Sequence, residues 1–230
     1  MSEPGIAGLG AYAPRLRIGA EEFSEALGQY EASGIEQKAV PEADEDTLTM
    51  AYEATRRALD AAGCGGGDVS HLALATTTPP MEEEDLTARL ASMVGAPEDV
   101  TTRTMTGSTR AGGQALDAAL DAGPWNGDCA VVVASDCPRG APDSAVEHAG
   151  GAGAGAVVLA GDGPVRVRDR ASHVESYPGT RFRPAGEEQT TGLGITQYDR
   201  QSFTSTLAGA ADGLDVGAVD AAAVQSPDGK

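Results

Sequence analysis

The chain predicts an α/β fold, a mostly parallel sheet with covering helices. Three observations lead there. Runs such as "CAVVVAS" (129–135) are apolar at every position, as strands covered on both faces are. Other stretches carry helical periodicity, most clearly "EDTLTMAYEATRRALDAAG" (45–63). The two kinds alternate along the chain, which favours right-handed crossovers within one sheet. With 230 residues the chain has ample length for a buried core.

Taken in order, "GIAGLGAYAP" (5–14) is a glycine-broken strand. In the helix at 45–63, Leu48, Ala51, Tyr52, Thr55, Leu59 and Ala62 share one face, and Gly63 stands where a helix-ending glycine belongs. "HLALATTT" (71–78) is a strand stopped by Pro79-Pro80, and "EEEDLTARLASMVG" (82–95) is a helix whose first turn holds Glu82–Glu84, where the dipole favours acids. A strand at 100–106 and a helix at 111–122 follow, then the strand at 129–135 and a short helix in "PDSAVEHAG" (142–150). "GAGAVVLAG" (153–161) is another buried strand, and the small residues of "GGAGAGA" (150–156) imply close packing. Residues 165–177 alternate as a hairpin or edge strands would; 195–214 are helical, and "VDAAAVQ" (219–225) is a last strand. In such sheets, sites form beyond the carboxyl ends of strands. That singles out 76–80, 106–113 and 225–230.

Charge excludes some functions. Asp and Glu number 35 against 16 Lys and Arg, a net charge of −19. A basic nucleic-acid-binding surface is not expected, because phosphate contacts need clustered Lys and Arg. Acids spread along the whole chain suit a protein of a salt-loaded, halophilic cytoplasm, where dissolved ions screen self-repulsion. No run of about 18 apolar residues suggests a membrane span, and "MSEPGIAGLG" lacks the pattern of a secretory signal. A cytoplasmic location is the expectation. Cys64, Cys129 and Cys137 form no CxxC, so a disulfide framework is not expected. The isolated His71, His148 and His173 suggest no metal site.

The stretch "TMTGSTRAGGQAL" (104–116) joins a strand to a helix. Its G-x-x-x-x-G spacing resembles a P-loop, but Gly113 and Gln114 stand where Lys and Ser/Thr are required. A serine-hydrolase elbow needs glycine two residues either side of the nucleophile; around Ser108 these are Thr106 and Arg110. The turn lets something approach the backbone, yet nothing in it is visibly activated.

Four segments, "GIAGLGAYAPRLRI", "VPEADEDTLTMAYEATRRAL", "GAPDSAVEHAGGAGAGAVVLAG" and "SPDGK", together resemble archaeal-type hydroxymethylglutaryl-CoA synthases of the thiolase superfamily of condensing enzymes. The resemblance runs along essentially the whole chain. It implies a thiolase-like fold of two similar α/β halves: residues 1–162 as the first, and 163–230 as the start of a second, incomplete half. It implies a cysteine acylated by acetyl-CoA, a glutamate acid/base, and a histidine that polarises acetoacetyl-CoA.

Carried across, the nucleophile position is Thr109, with Ser108 beside it; the glutamate position is Thr77; the histidine position is Gln225. All three have lost their chemistry, so the resemblance implies a catalytically degenerate homologue acting as a scaffold or an acyl-CoA-binding subunit. The alternative is an active acyltransferase that uses Thr109 or Ser108, or one of Glu82–Glu84 as base. Arg110 and Lys230 are the candidate CoA contacts, although Arg110 also suits an ion pair with a nearby acid. Cys137, at the end of the 129–135 strand, is a candidate surrogate nucleophile that does not match the family's cysteine position. No tightly bound cofactor is implied beyond a coenzyme A thioester as ligand. By analogy, expected partners are a second copy, a thiolase, or a small zinc-ribbon/OB-fold protein.

Overall fold

The computed structural model describes residues 4–123, 128–161 and 163–225. Along the chain run β1 (Gly5–Tyr12), β2 (Leu16–Gly19), α1 (Ala20–Leu27), β3 (Gln37–Val40), α2 (Thr47–Ala62), β4 (Val69–Ala75), α3 (Leu86–Val94) and β5 (Thr101–Met105). Then come α4 (Ala111–Ala122), β6 (Cys129–Asp136), α5 (Ala145–Ala149), β7 (Gly153–Ala160), β8 (Val165–Arg166), β9 (Arg181–Phe182), β10 (Thr191–Gly192) and α6 (Thr196–Ala211).

Six strands form the main sheet in the order β5-β4-β6-β7-β1-β8. β4 pairs parallel with both β5 and β6, whereas β7 is antiparallel to β6 and to β1, and β8 to β1. Four strands, β1, β4, β5 and β6, therefore point one way, and the sheet is mostly parallel in that sense. The reversal at β7 has a local cause. The 137–152 connection holds only the five-residue α5, and it returns the chain at the edge where β6 ended.

Each face has its own cover. Leu48, Ala51, Ala54, Ala58 and Leu59 of α2, with Leu86 and Leu90 of α3, pack on Leu72, Leu74, Val131, Val133 and Val158. On the other face Ala111, Ala115 and Ala119 of α4 meet Ala73, Ala75, Ala130, Val132 and Leu159. Spaced four apart, these alanines put only small side chains between helix and strands. α2 starts on Asp46, whose carboxylate accepts the Thr49 N–H at 2.8 Å, and ends on Gly63 at φ +69°.

The glycines of β1 permit the tightest contact. A Cβ on Gly8 would lie 2.7 Å from the Ala62 nitrogen, and one on Gly10 would overlap the Ala54 carbonyl of α2. The glycine break read in this strand is thus the footprint of a helix lying on backbone. The close packing expected at 150–156 falls to its alanines: Ala152 and Ala156 are buried and Ala156 joins the core cluster under α2, whereas Gly155 faces open space and Gly153 meets the Tyr12 carbonyl at 3.2 Å.

Other expectations need correction. Glu82–Glu84 precede α3 rather than filling its first turn; Asp85 is the cap, accepting the Ala88 N–H at 3.0 Å. No strand forms at 219–225 among the described residues: a short 3₁₀ turn, Val216–Ala218, is followed by irregular chain without a ladder partner. The 165–177 alternation yields only β8, two residues long. The strand pairs β2/β3 and β9/β10 lie outside the alternation read from the sequence, as does α1, which buries Phe23 and ends on Gly28.

The chain divides into two compact units. The first is Met1–Ile18, Lys38–Pro138 and Gly151–Val167, holding the main sheet; the second is Gly19–Gln37, Arg139–Gly150 and Arg168–Lys230. Within the second, the fully buried His148 ring stacks 5.6 Å from Tyr30 and lies 4.8 Å from Phe23. Its Nδ1 accepts the Glu31 N–H at 3.0 Å. Glu175 accepts the Ser205 hydroxyl on both oxygens, at 2.8 and 2.9 Å, and lies 3.0 Å from His173 Nε2. Those contacts hold its carboxyl below the usual range, His173 first and Ser205 next. None of the described side chains of α6 is buried.

No helix among the described residues is long and apolar enough to cross a membrane. The ion pairs of the first unit, such as Arg15–Glu42 at 2.9 Å and Arg56–Asp60 at 3.2 Å, lie at the surface, where each is worth about 0–1 kcal/mol. Sixteen bases cannot offset 35 acids, so unscreened repulsion opposes folding. The expected result is a melting temperature that climbs as salt rises from roughly 0.1 to 1 M, where the screening length falls from about 10 to about 3 Å. Calorimetry across that range checks it; a flat or falling melting temperature would contradict it.

Candidate functional site

Three turns meet at the carboxyl edge of the parallel strands in the first unit. The ladder sets Ala75 beside both Met105 and Ala134, and the Thr76 N–H continues it to the Met105 carbonyl at 3.0 Å. The turns after β4 (76–80), β5 (106–110) and β6 (136–138) are therefore neighbours. Thr77 and Thr109 are brought to one edge, as sites in α/β sheets are.

At the centre of this edge is Asp136, a half-buried residue not singled out from the sequence. Its Oδ1 accepts four hydrogen bonds: from the Thr77 N–H at 2.6 Å, and from the hydroxyls of Thr76 (3.1 Å), Thr77 (3.0 Å) and Thr78 (3.0 Å). The Thr78 hydroxyl in turn accepts the Cys137 N–H at 2.8 Å. Behind it, the Thr47 hydroxyl donates to the Thr78 carbonyl and the Ser135 hydroxyl to the Thr47 carbonyl, each at 2.7 Å. Thr77 thus serves to hold a carboxylate, where the family resemblance places a carboxylate of its own. The parallel ladder, which ends with Ala75 beside Ala134, brings the "TTT" that follows β4 to the "SD" that ends β6.

The 106–110 turn is built around Gly107 at φ +81°, a conformation that disfavours side chains. The Ser108 carbonyl accepts the Ala111 N–H at 3.0 Å and its hydroxyl the Arg110 N–H at 3.3 Å. Thr109 is exposed just ahead of α4, where the helix dipole favours negative charge, and its hydroxyl has no partner among the described residues. Arg110 is also exposed and makes no ion pair among the described residues, so the pairing with a nearby acid does not form.

No histidine serves this edge from within its own unit. His71, the one histidine there, is buried in the opposite half of β4, beside Thr101 and Ala130. Burial, then the Arg103 charge, pushes its pKa down and keeps it neutral. His148 and His173 belong to the second unit.

Gln225 is exposed in the second unit; Lys230 lies outside the described residues. Glu82–Glu84 are exposed, with Glu84 held 2.8 Å from Arg89. Cys137 is half-buried beside the threonine cluster, its backbone held by Thr78. Among the described residues no group of three or more His, Cys, Asp or Glu side chains could hold a metal.

The fold finds counterparts among known proteins. The chain aligns with a priming β-ketosynthase of the R1128 polyketide pathway at a TM-score of 0.64, with 25% identity over 74% of this chain and 52% of that one. "MvaS in complex with 3-hydroxy-3-methylglutaryl coenzyme A" superposes at 0.81, with 23% identity over 93% of this chain and 53% of that one. "HMG_CoA synthase complexed with CoA" superposes at 0.82, with 18% identity over 93% and 57%. The class is therefore a thiolase-like condensing-enzyme fold.

Sequence narrows it. Hydroxymethylglutaryl-CoA synthase of Thermococcus gammatolerans is 35% identical over 68% of this chain and 45% of its own length. That of Pyrococcus furiosus is 32% identical over 69% and 45%. The chain is a homologue of the archaeal hydroxymethylglutaryl-CoA synthases, and it matches less than half the length of these relatives. No family model matches it.

Proposed function

We propose that the chain binds a coenzyme A thioester at the carboxyl edge of β4, β5 and β6 without performing the ordinary synthase reaction. One observation carries this: Thr77 spends both its N–H and its hydroxyl on Asp136, at 2.6 and 3.0 Å, instead of offering an acid/base group. Thr109 supports it, because a hydroxyl needs an adjacent base and none touches this one among the described residues. Arg110 supports the ligand, since an exposed guanidinium at the start of α4 suits a phosphate of CoA. Such a chain would act as a scaffold or an acyl-CoA-binding subunit, paired with a second copy, a thiolase or a zinc-ribbon/OB-fold protein.

A second reading rests on the exposure of Thr109 at a helix start, where an acyl acceptor could sit. Two measurements separate the readings. Titration calorimetry with acetyl-CoA and acetoacetyl-CoA in high salt is expected to give heat; none with either would remove the binding role. Incubation with radiolabelled acetyl-CoA is expected to leave no acid-stable label. Label on the peptide spanning residues 104–116 would establish the acyltransferase instead.

A further inference from the structure

The second unit buries a histidine that the candidate site does not use. His148, on α5, is fully buried, and its two ring nitrogens face different segments. Nδ1 accepts the Glu31 N–H at 3.0 Å, and Nε2 lies 3.4 Å from Asp143 Oδ1. A backbone N–H can only donate, so the neutral ring carries its proton on Nε2, toward Asp143. Glu31 belongs to the 28–34 loop between α1 and β3. Gly28 at φ +79° and Gly34 at φ +77° bracket that loop, each in a conformation that favours glycine. The Tyr30 hydroxyl donates to the Ile35 carbonyl at 2.7 Å and the Ile35 N–H to the Ala32 carbonyl at 3.2 Å, which braces the loop as one piece. Three contacts join it to the α5 side: the Glu31 bond, the Tyr30 ring stacked on His148, and the Gln29 amide, which donates to Asp143 Oδ2 at 3.2 Å.

We propose that His148 is an acid-operated latch on the 28–34 loop. While the ring is neutral, Nδ1 holds Glu31. As pH falls through the range in which imidazoles change charge, about pH 8 to 5, a proton from solvent has one place to go, the Nδ1 lone pair that Glu31 uses. The new Nδ1–H then faces the Glu31 N–H, two donors opposed, and that bond is lost. At the same moment the Nε2–H belongs to a cation and is drawn to the Asp143 carboxylate. The ring stays where it is and the loop is released.

The surroundings decide which contact gives way. α1 faces the ring with Phe23, which carries no charge. The loop faces it with Tyr30, whose pKa burial pushes up, so that its hydroxyl stays neutral; Glu31 itself is exposed. The turn before α5 presents Asp143, and α5 adds Glu147, whose carboxylate accepts the Asp143 N–H at 2.6 Å. A buried cation needs a paired charge, and Asp143 already stands beside Nε2. Asp143 is also the better anchored partner. It sits at φ +60°, the only non-glycine at positive φ among the described residues, and Glu147 and Gln29 hold it there. Glu31, by contrast, lies on a loop with a glycine at either end. Release of the loop would withdraw Tyr30 from its stack on His148 while the main sheet, in the first unit, stays folded.

The test follows the isotopically labelled 230-residue chain by NMR in concentrated salt, from about pH 8 to about pH 5. Imidazole nitrogen shifts should show His148 neutral at the alkaline end, with its proton on Nε2. Acidification should protonate Nδ1, and in the same step the exchange protection of the Glu31 amide should fall about fivefold, the loss of one hydrogen bond. Amides of β4 and β6 should keep their protection through that step. Asp143→Asn, a residue that tolerates positive φ, should move the step to lower pH, because the charge beside the cation is gone. Overturning results are a neutral ring with its proton on Nδ1, no protonation across the range, or protonation that leaves the Glu31 amide unchanged. Loss of Glu31 and main-sheet protection together, or a step at the same pH in Asp143→Asn, would equally overturn it.

Discussion

Gly10→Ala is expected to unfold the sheet-bearing unit under conditions in which the parent chain is folded. The new methyl would overlap the Ala54 carbonyl and approach the Ala58 Cα to 3.1 Å. Both are helical backbone, so no side chain can rotate away. α2 would have to lift off β1, and Ala51, Ala54, Ala58 and Leu59 would lose their seating on the sheet. Extra methylenes in yielding cores cost about 1–3 kcal/mol. Here the obstacle is rigid, and we expect about 3–5 kcal/mol, a large share of the stability of a typical domain. Gly155→Ala is the control: its Cβ enters open space, and the change should stay within about 1 kcal/mol. Urea unfolding followed by circular dichroism distinguishes them; equal midpoints for the two variants would contradict the close contact.

Asp136→Ala should cost about 3 kcal/mol, because it strips the acceptor from one N–H and three hydroxyls at once. Some of these donors can turn to solvent at this half-buried edge, which keeps the loss below the sum of four separate bonds. Asp136→Asn keeps an oxygen in place but loses charge assistance, so about half the loss should return. Denaturation midpoints of the two variants check the ranking. If alanine were as stable as asparagine, the threonines would not depend on this carboxylate. Loss of acetyl-CoA heat in Asp136→Ala would also be expected, since the 76–80 turn would lose its anchor.

Much of the fold was legible because its signals are local. The apolar face of α2, its Gly63 stop and the unbroken hydrophobicity of β6 each follow from a few neighbouring residues. What escaped was long-range. Nothing in "GGAGAGA" distinguishes it from "GIAGLGAY", yet only in the latter do glycines meet helix backbone; in the former Ala154 and Ala156 pack into the core under α2, and that difference depends on where α2 lands. "VDAAAVQ" has strand composition, but among the described residues it has no neighbouring strand to complete a ladder. For the candidate site, Thr77 and Thr109 were placed through resemblance, and their adjacency follows from parallel register. Asp136 was missed because an acid ending a strand is unremarkable until register sets three threonines against it.

The place of β1 in the sheet has a bearing on how the chain is made. Its partners are β7 and β8, with Gly5 beside Ala160 and Arg166, and Tyr12 beside Ala154. β1 is synthesised well ahead of both partners and is therefore paired late. At about 5–20 residues per second, a ribosome leaves it waiting roughly 10–30 s for β7 to emerge. Through that interval its hydrogen-bonding edges are unsatisfied, and α2 has only a stretch of bare glycine-rich backbone to rest on. Closing so long a loop is slow in any chain. For this protein, survival on the way to the folded state depends on what shields β1 during those seconds.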